Sequence, residues 1–313
     1  MRGRAVSIDI GTNTIRLLIA DRDGRKSLRR ILTRKETTRL GENFIKNRMI
    51  SFRAIERSIQ VLREYVKISN MYTSEKPVAV ATSAVREALN KDEFLERVYQ
   101  YTGIEVRILS EEDEARVSLT GVLSVIDNIT DRTLVVDIGG GSVELIVTEG
   151  LAPITTHSLE LGAVYLSERF IRADPPGSLE LENLREFVDD RLSSMKKCIF
   201  KSQVGLSLSS LVGTAGTITA LTAMDKKISP YDPDRINGSI LRRESVKGIY
   251  DRLRRLTASE RKEIPCLEEG REDIILAGTV VVIGIMETFD FNDMLVSDSG
   301  LLEGIILEGK VDG

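Results

Sequence analysis

The chain contains one histidine, His157, among 313 residues. A Ser-His-Asp triad or a histidine-rich metal site asks more of imidazole than one residue supplies, so catalysis must rest on carboxylates and an oxygen-liganded metal. Its two cysteines, Cys198 and Cys266, lie far apart with no Cys-x-x-Cys spacing, which argues against a zinc site and a disulfide framework. No apolar run reaches about eighteen residues. Arg2 and Arg4 precede a short apolar stretch that Asp9 interrupts, so neither a membrane span nor a secretory leader is expected, and the chain reads as cytoplasmic. Positive charge is also in short supply. A net charge of −4 argues against broad nucleic-acid binding, and an anionic ligand would need focused cations and a metal.

The length, without low-complexity stretches, suits about two domains. Residues 134–145 read LVVDIGGGSVEL, an apolar run broken by Asp137 and successive glycines. Glycines in a row let the backbone reach φ > 0, so that several N–H groups converge on one point while Asp137 supplies a hard oxygen beside them. That pairing suits a metal-bound phosphate; a plain hairpin turn is the competing reading.

An internal repeat strengthens the first reading. AVSIDIGTNTIRLLIA at 5–20 aligns with TLVVDIGGGSVELIVT at 133–148 when Asp9 is laid on Asp137. The residues after each turn are β-branched or aliphatic, so each copy is expected to be a β-hairpin with a polar tip. A P-loop is excluded for lack of Gly-Lys-Ser/Thr opening a helix, and a dinucleotide fingerprint because Glu144 stands where its third glycine belongs. Duplicated hairpins suggest duplicated domains facing each other across a cleft. SLSSLVGTAGTITAL at 207–221 reads as a strand, a turn at 213–216 and a helix from about Thr217, whose amides would face an anion or nucleotide unless this is an ordinary βα turn. Amphipathic helices are expected over 52–68, through Ile55, Ile59, Leu62 and Val66, and over 179–200, through Leu184, Val188, Leu192 and Met195.

Several stretches together resemble the exopolyphosphatase and guanosine pentaphosphate phosphatase family, Ppx/GppA, in a short form without C-terminal helical domains. They are DIGTNT at 9–14, TSAVREALN at 82–90, SEEDEAR at 110–116, DIGGGSVEL at 137–145, LGAVYLSERF at 161–170, GTAGT at 213–217, EGREDIILAG at 269–278 and SDSGLLEGII at 297–306. The resemblance implies an α/β fold with two ribonuclease-H-like domains of the actin-like, sugar-kinase and heat-shock-ATPase architecture and an interdomain cleft. The N-terminal domain is expected over 1–120 plus 300–313 and the C-terminal domain over 121–299.

SEEDEAR reads as a helix start, with Ser110 as N-cap and Asp113 completing a capping-box-like pair, which leaves Glu114 free for other work. Dipole complementation by all four acids is the competing reading. The family pattern makes the glutamate before Ala-Arg the catalytic base, which is Glu114 here, with Glu144 an auxiliary acid. Asp9 and Asp137 are the expected ligands of Mg2+, with Mn2+ as a substitute. Amides around Gly11, Thr12, Asn13 and Thr14 and around Gly139, Gly140, Gly141 and Ser142 would cradle phosphates. Arg86 would add mobile positive charge, unless it pairs with Glu87 or Asp92. Gly213, Thr214, Gly216 and Thr217 would contact a nucleotide or a distal phosphate.

The expected ligand is polyphosphate or a phosphorylated guanosine nucleotide, without specific nucleic acid or membrane. The resemblance also implies dimers for many members. Short chains are expected to be preferred, because longer members continue into helical domains associated with holding long polyphosphate. A small-molecule kinase of the same fold and a catalytically weak phosphate sensor are the alternatives. Three positions depart from the family pattern: Asn237 before Gly238 in place of histidine, Tyr165 in place of an arginine frequent in short members, and Leu302 where arginine is common. These leave two cations and an imidazole missing from or near the expected cleft.

Overall fold

The computed structural model describes residues 3–22, 28–126, 132–202 and 207–309. The chain divides into two compact units, Met1–Ser124 with Ser299–Gly313, and Val125–Asp298.

In the first unit β1 (Arg4–Ile10), β2 (Thr14–Arg22) and β3 (Leu28–Thr37) form an antiparallel meander. A short α1 (Phe44–Asn47) and the long α2 (Phe52–Tyr72) lead to β4 (Val78–Ala81). Then come α3 (Ser83–Glu87), α4 (Lys91–Thr102), β5 (Val106–Ile108) and α5 (Glu111–Leu123). The five-stranded sheet runs β3-β2-β1-β4-β5, with β4 and β5 joined in parallel. β1 lies inside this sheet, so Val6, Ile8 and Ile10 are buried on one face and Ser7 and Asp9 on the other. The helix expected at 52–68 is α2, begun by Ser51, whose hydroxyl accepts the Ala54 amide, and Ile55, Ile59 and Leu62 are its buried stripe.

The second unit repeats the plan. β6 (Arg132–Ile138), β7 (Val143–Glu149) and β8 (Ala152–Leu159) are antiparallel, followed by α6 (Ala163–Phe170) and α7 (Ser178–Ser202). β9 (Ser210–Thr214), parallel to β6, feeds α8 (Ala215–Lys226). Short α9 (Pro233–Ile236), β10 (Ile240–Arg242), α10 (Arg243–Leu253) and α11 (Ala258–Lys262) precede α12 (Ile275–Thr288) and β11 (Asp293–Val296). The sheet order is β10-β11-β9-β6-β7-β8. α12 is buried from Ile275 through Met286, which explains its unbroken apolar sequence. No described helix is long and apolar enough to cross a membrane.

The chain returns to the first unit through α13 (Leu301–Glu308), which packs on α5 almost backbone to backbone. A Cβ added at Gly304 would lie 1.8 Å from the Val117 carbonyl oxygen, and one at Gly121 1.8 Å from that of Gly300. Leu302 corrects one expectation. It is buried beside Leu18, Ala20 and Ile306, so a core side chain fills the position where the family pattern has arginine.

The α5–α13 contact generates a prediction. Gly304→Ala should destabilise the protein by about 1–3 kcal/mol, as overpacking against rigid backbone does, measured by denaturant unfolding; a change under roughly 0.5 kcal/mol would show that the helices part without cost.

Candidate functional site

In the first unit the β1–β2 register places Asp9 directly across from Arg16. Arg16 donates through Nε at 2.9 Å and Nη2 at 2.6 Å to Asp9 Oδ2. Asp9 Oδ1 is buried with no hydrogen-bond partner. The turn is closed by Gly11 N–H to the Thr14 carbonyl at 3.0 Å. Beyond β3, the chain passes behind this tip as a strap: Gly41 donates to the Thr12 carbonyl at 2.8 Å, and Thr38 and Arg39 to the Asn13 carbonyl at 3.0 and 2.9 Å. A trans peptide points its N–H opposite to its C=O, so the Asn13 and Thr14 amides face away from the strap. Thr12 is buried, and its hydroxyl lies 2.9 Å from that of Ser83.

The second tip has the same construction. Gly139 N–H closes the turn on the Ser142 carbonyl at 3.0 Å. The Gly139, Gly140 and Gly141 carbonyls accept from Ala163 at 3.0 Å, Val164 at 2.9 Å and Gly162 at 3.1 Å, and Tyr165 adds a second bond to Gly140 at 3.1 Å. The Gly140, Gly141 and Ser142 amides consequently point away from α6, as a row of donors of the kind suited to an anion. These glycines do not work as expected: among the described residues the positive-φ glycines are Gly103, Gly150, Gly238, Gly270 and Gly309, and none is in either tip. Close approach is what the second tip requires, since a Cβ at Gly162 would lie 2.3 Å from the Gly140 carbonyl oxygen. Asp137 pairs in register with Glu144, which is 2% exposed and accepts from the Ser158 hydroxyl at 3.3 Å.

Asp113, and not Glu114, serves the cap of α5. The Ser110 hydroxyl accepts the Asp113 amide at 3.1 Å and donates to Asp113 Oδ2 at 2.9 Å, while Asp113 Oδ1 accepts from Arg116 at 3.0 Å. Glu114 Oε2 accepts from Arg86 Nη1 at 2.7 Å, and the same nitrogen donates to the Leu109 carbonyl at 3.0 Å. Arg86 thus pairs with Glu114, and neither Glu87 nor Asp92 is its bonded partner. Arg86 Nη2 is buried without a hydrogen-bond partner, with Glu111 no nearer than 3.9 Å.

Where β9 meets α8, Thr214 and Thr217 are buried, and no side chain caps the helix. Gly213 lies within β9 against Met294 and Ile218. Ala215 sits at φ 71°, a strained conformation for a residue with a Cβ. Arg271, 8% exposed, packs so closely on Gly216 that a Cβ there would lie 1.7 Å from its guanidinium, while Glu268 accepts its Nε at 2.7 Å. The positive end of α8 therefore carries an added cation, which favours an anion.

Sequence reasoning missed Arg16, Ser83, Arg271 and the two strap glycines. Arg16 was readable from hairpin register, because it stands at the same offset from Asp9 as Glu144 from Asp137; the straps were readable as Leu40-Gly41 and Leu161-Gly162. Of the departures from the family pattern, Asn237 accepts the Asp298 amide on Oδ1 at 2.7 Å, and the Tyr165 hydroxyl accepts from Arg169 at 2.5 Å, which restores a cation one turn along α6. His157, half-buried on β8, has its pKa lowered from the usual imidazole value by burial.

Gly162→Ala should push the second tip off its strap and lower the affinity for tripolyphosphate, read by calorimetry, while a nearly unchanged affinity would show that the tip amides are not held by this contact. Ala215→Gly should relieve its backbone and gain about 0.5–1 kcal/mol, visible as a raised melting temperature.

The family model described as the Ppx/GppA phosphatase family matches residues 18–310. Exopolyphosphatase 2 of Mycobacterium tuberculosis is 30% identical, over 97% of this chain and 98% of that protein. The bifunctional 3-dehydroquinate synthase/phosphatase of Fusobacterium nucleatum is 34% identical over 97% of this chain, which spans 46% of that longer protein. Among solved structures, the Aquifex aeolicus Ppx/GppA family member is 35% identical with a TM-score of 0.80, covering 98% of this chain and 97% of that one. An exopolyphosphatase from Cytophaga hutchinsonii is 26% identical with a TM-score of 0.90, covering 99% and 100%. The two mixed sheets share the actin-like ATPase fold of these structures. The chain belongs to the Ppx/GppA phosphatase family.

Proposed function

We propose that this chain is a Mg2+-dependent exopolyphosphatase that releases terminal phosphate from inorganic polyphosphate, with a preference for short chains. The observation that carries this reading is the Arg86–Glu114 pair. One guanidinium nitrogen binds the carboxylate at 2.7 Å while the other, buried Nη2 lacks an acceptor. A base and an unused donor for a phosphoryl oxygen thus lie side by side. The relatives named exopolyphosphatase support the same substrate class.

Phosphoanhydride hydrolysis needs a positioned water, donors that hold the chain still and neutralised phosphoryl oxygens. Glu114 orients the water and takes its proton, a role worth about 10²–10⁴-fold in rate. Arg86 gives Nη2 to a phosphoryl oxygen, and the Asn13 and Thr14 amides of one tip and the Gly140, Gly141 and Ser142 amides of the other hold phosphates.

The residues present fit Mg2+. Among the described residues no group of three or more acidic, histidine or cysteine side chains forms a complete ligand set, and Mg2+ commonly takes one or two carboxylates with waters and substrate phosphates. Asp9 offers the buried Oδ1 without a hydrogen bond, and Asp137 stands across from Glu144 in the β6–β7 register. When bound, Mg2+ supplies charge neutralisation at the phosphoryl oxygens.

Phosphate release with Mg2+ should be measured from short polyphosphate, long polyphosphate, guanosine pentaphosphate and ATP, for wild type and Glu114→Gln. Expected is fastest release from short polyphosphate, with Glu114→Gln slowed about 10²–10⁴-fold and its substrate binding kept. Faster release from guanosine pentaphosphate would move the substrate assignment, and turnover within a few-fold in Glu114→Gln would place the base elsewhere. Arg86→Ala should raise KM and lower kcat together, because Glu114 loses its partner as the phosphoryl group loses its donor; a change in KM alone would confine Arg86 to binding.

A further inference from the structure

The two hairpins are alike except at one charged position. Across from its aspartate the second tip carries Glu144, and the first carries Arg16. Arg16 does not grip Asp9 fork to fork. Both of its donors, Nε and Nη2, converge on Oδ2, whereas an arginine–carboxylate pair commonly engages both oxygens. Oδ1 is left buried without a hydrogen bond, a costly arrangement for a carboxylate that is 5% exposed. A hard oxygen in this state is suited to a hard cation.

Resting on the reading that Asp9 serves a metal-bound phosphate, we propose that Arg16 is a counter-ion latch that suppresses divalent-cation binding at Asp9 until a polyanion draws its guanidinium away. A cation on Oδ1 and a guanidinium on Oδ2 of one carboxylate repel each other, and arginine cannot relieve this by losing a proton. An incoming phosphate chain relieves it by offering the guanidinium its own oxygens in charge-assisted hydrogen bonds. The Arg16 side chain, 30% exposed, is open to such a ligand. Cation and polyanion then promote each other's binding, as linkage requires. Arg16 is in this role a positioning residue that couples the loading of metal and substrate.

The test uses Mn2+ alone, titrated by calorimetry into the full chain as wild type, Arg16→Met, Asp9→Asn and the double variant, with Arg16→Gln as a second probe should the methionine variant fold poorly by thermal melt. Expected is a Mn2+ affinity roughly tenfold tighter in Arg16→Met, within the range usual for coupling between two ligands, and loss of that gain in the double variant. KM for tripolyphosphate should rise in Arg16→Met. A Mn2+ affinity in both Arg16 variants equal to wild type, or a gain that survives Asp9→Asn, overturns the latch. If Asp9→Asn retains full Mg2+-dependent phosphate release, the reading of Asp9 fails first and the latch with it; if that variant is inactive while the Arg16 variants bind Mn2+ as wild type does, only the latch fails.

Discussion

The planarity of a few peptide groups governs both polar tips. Once a carbonyl is taken by a strap, the N–H of the next residue must point the opposite way. Thr12 and Asn13 give their carbonyls to residues 38–41, and Gly139, Gly140 and Gly141 give theirs to residues 162–165. Each strap is anchored by a buried leucine, Leu40 or Leu161, followed by a glycine that makes room for the tip: Gly162 lies against the Gly140 and Gly141 backbone, and Gly41 against the Thr12 side chain. The donor array is thus built from behind. This also explains why one tip reads Gly-Thr-Asn-Thr and the other Gly-Gly-Gly-Ser: neither uses a left-handed φ, so side chains are tolerated where the strap leaves room.

Charge is added to this backbone frame sparingly. The net charge is −4, yet Arg16, Arg86 and Arg271 are each set against an acid at a turn or tip. Arg16 and Arg86 also lie next to a buried polar atom with no hydrogen bond, Asp9 Oδ1 for one and its own Nη2 for the other. Buried groups are ordinarily satisfied, so each exception calls for a physical account, and a ligand that completes the set is one. The one histidine lies half-buried on β8, away from both tips in sequence, and the proposed acid–base chemistry rests on carboxylates that arginines hold.

Much of the fold was legible because its signals are local. Alternation over a few residues marked both hairpins, and the apolar stripes marked α2 and α7, with Leu184, Val188 and Leu192 fully buried. The strand and helix around 207–221 were visible, but no turn separates them: β9 runs through Gly213 and Thr214, and α8 begins at Ala215, two residues before the expected start. Less of the site could be read. Glu114 was identifiable by type, but its partner Arg86 lies on a different helix, and no spacing rule links them. Leu302 reads as a missing cation when compared position by position, while in space it fills the core between β2 and α13.

The sequence by itself determined the repeated hairpins, the principal helices and the residue types available for chemistry, since period and composition are properties of short stretches of chain. Tertiary structure alone decided the direction of the tip amides, the pairing of Asp9 with Arg16 and of Glu114 with Arg86, and the packing of Arg271 on Gly216. Hydrogen bonds and ion pairs depend on distance and angle in space, and these are set only when strands come into register and helices pack.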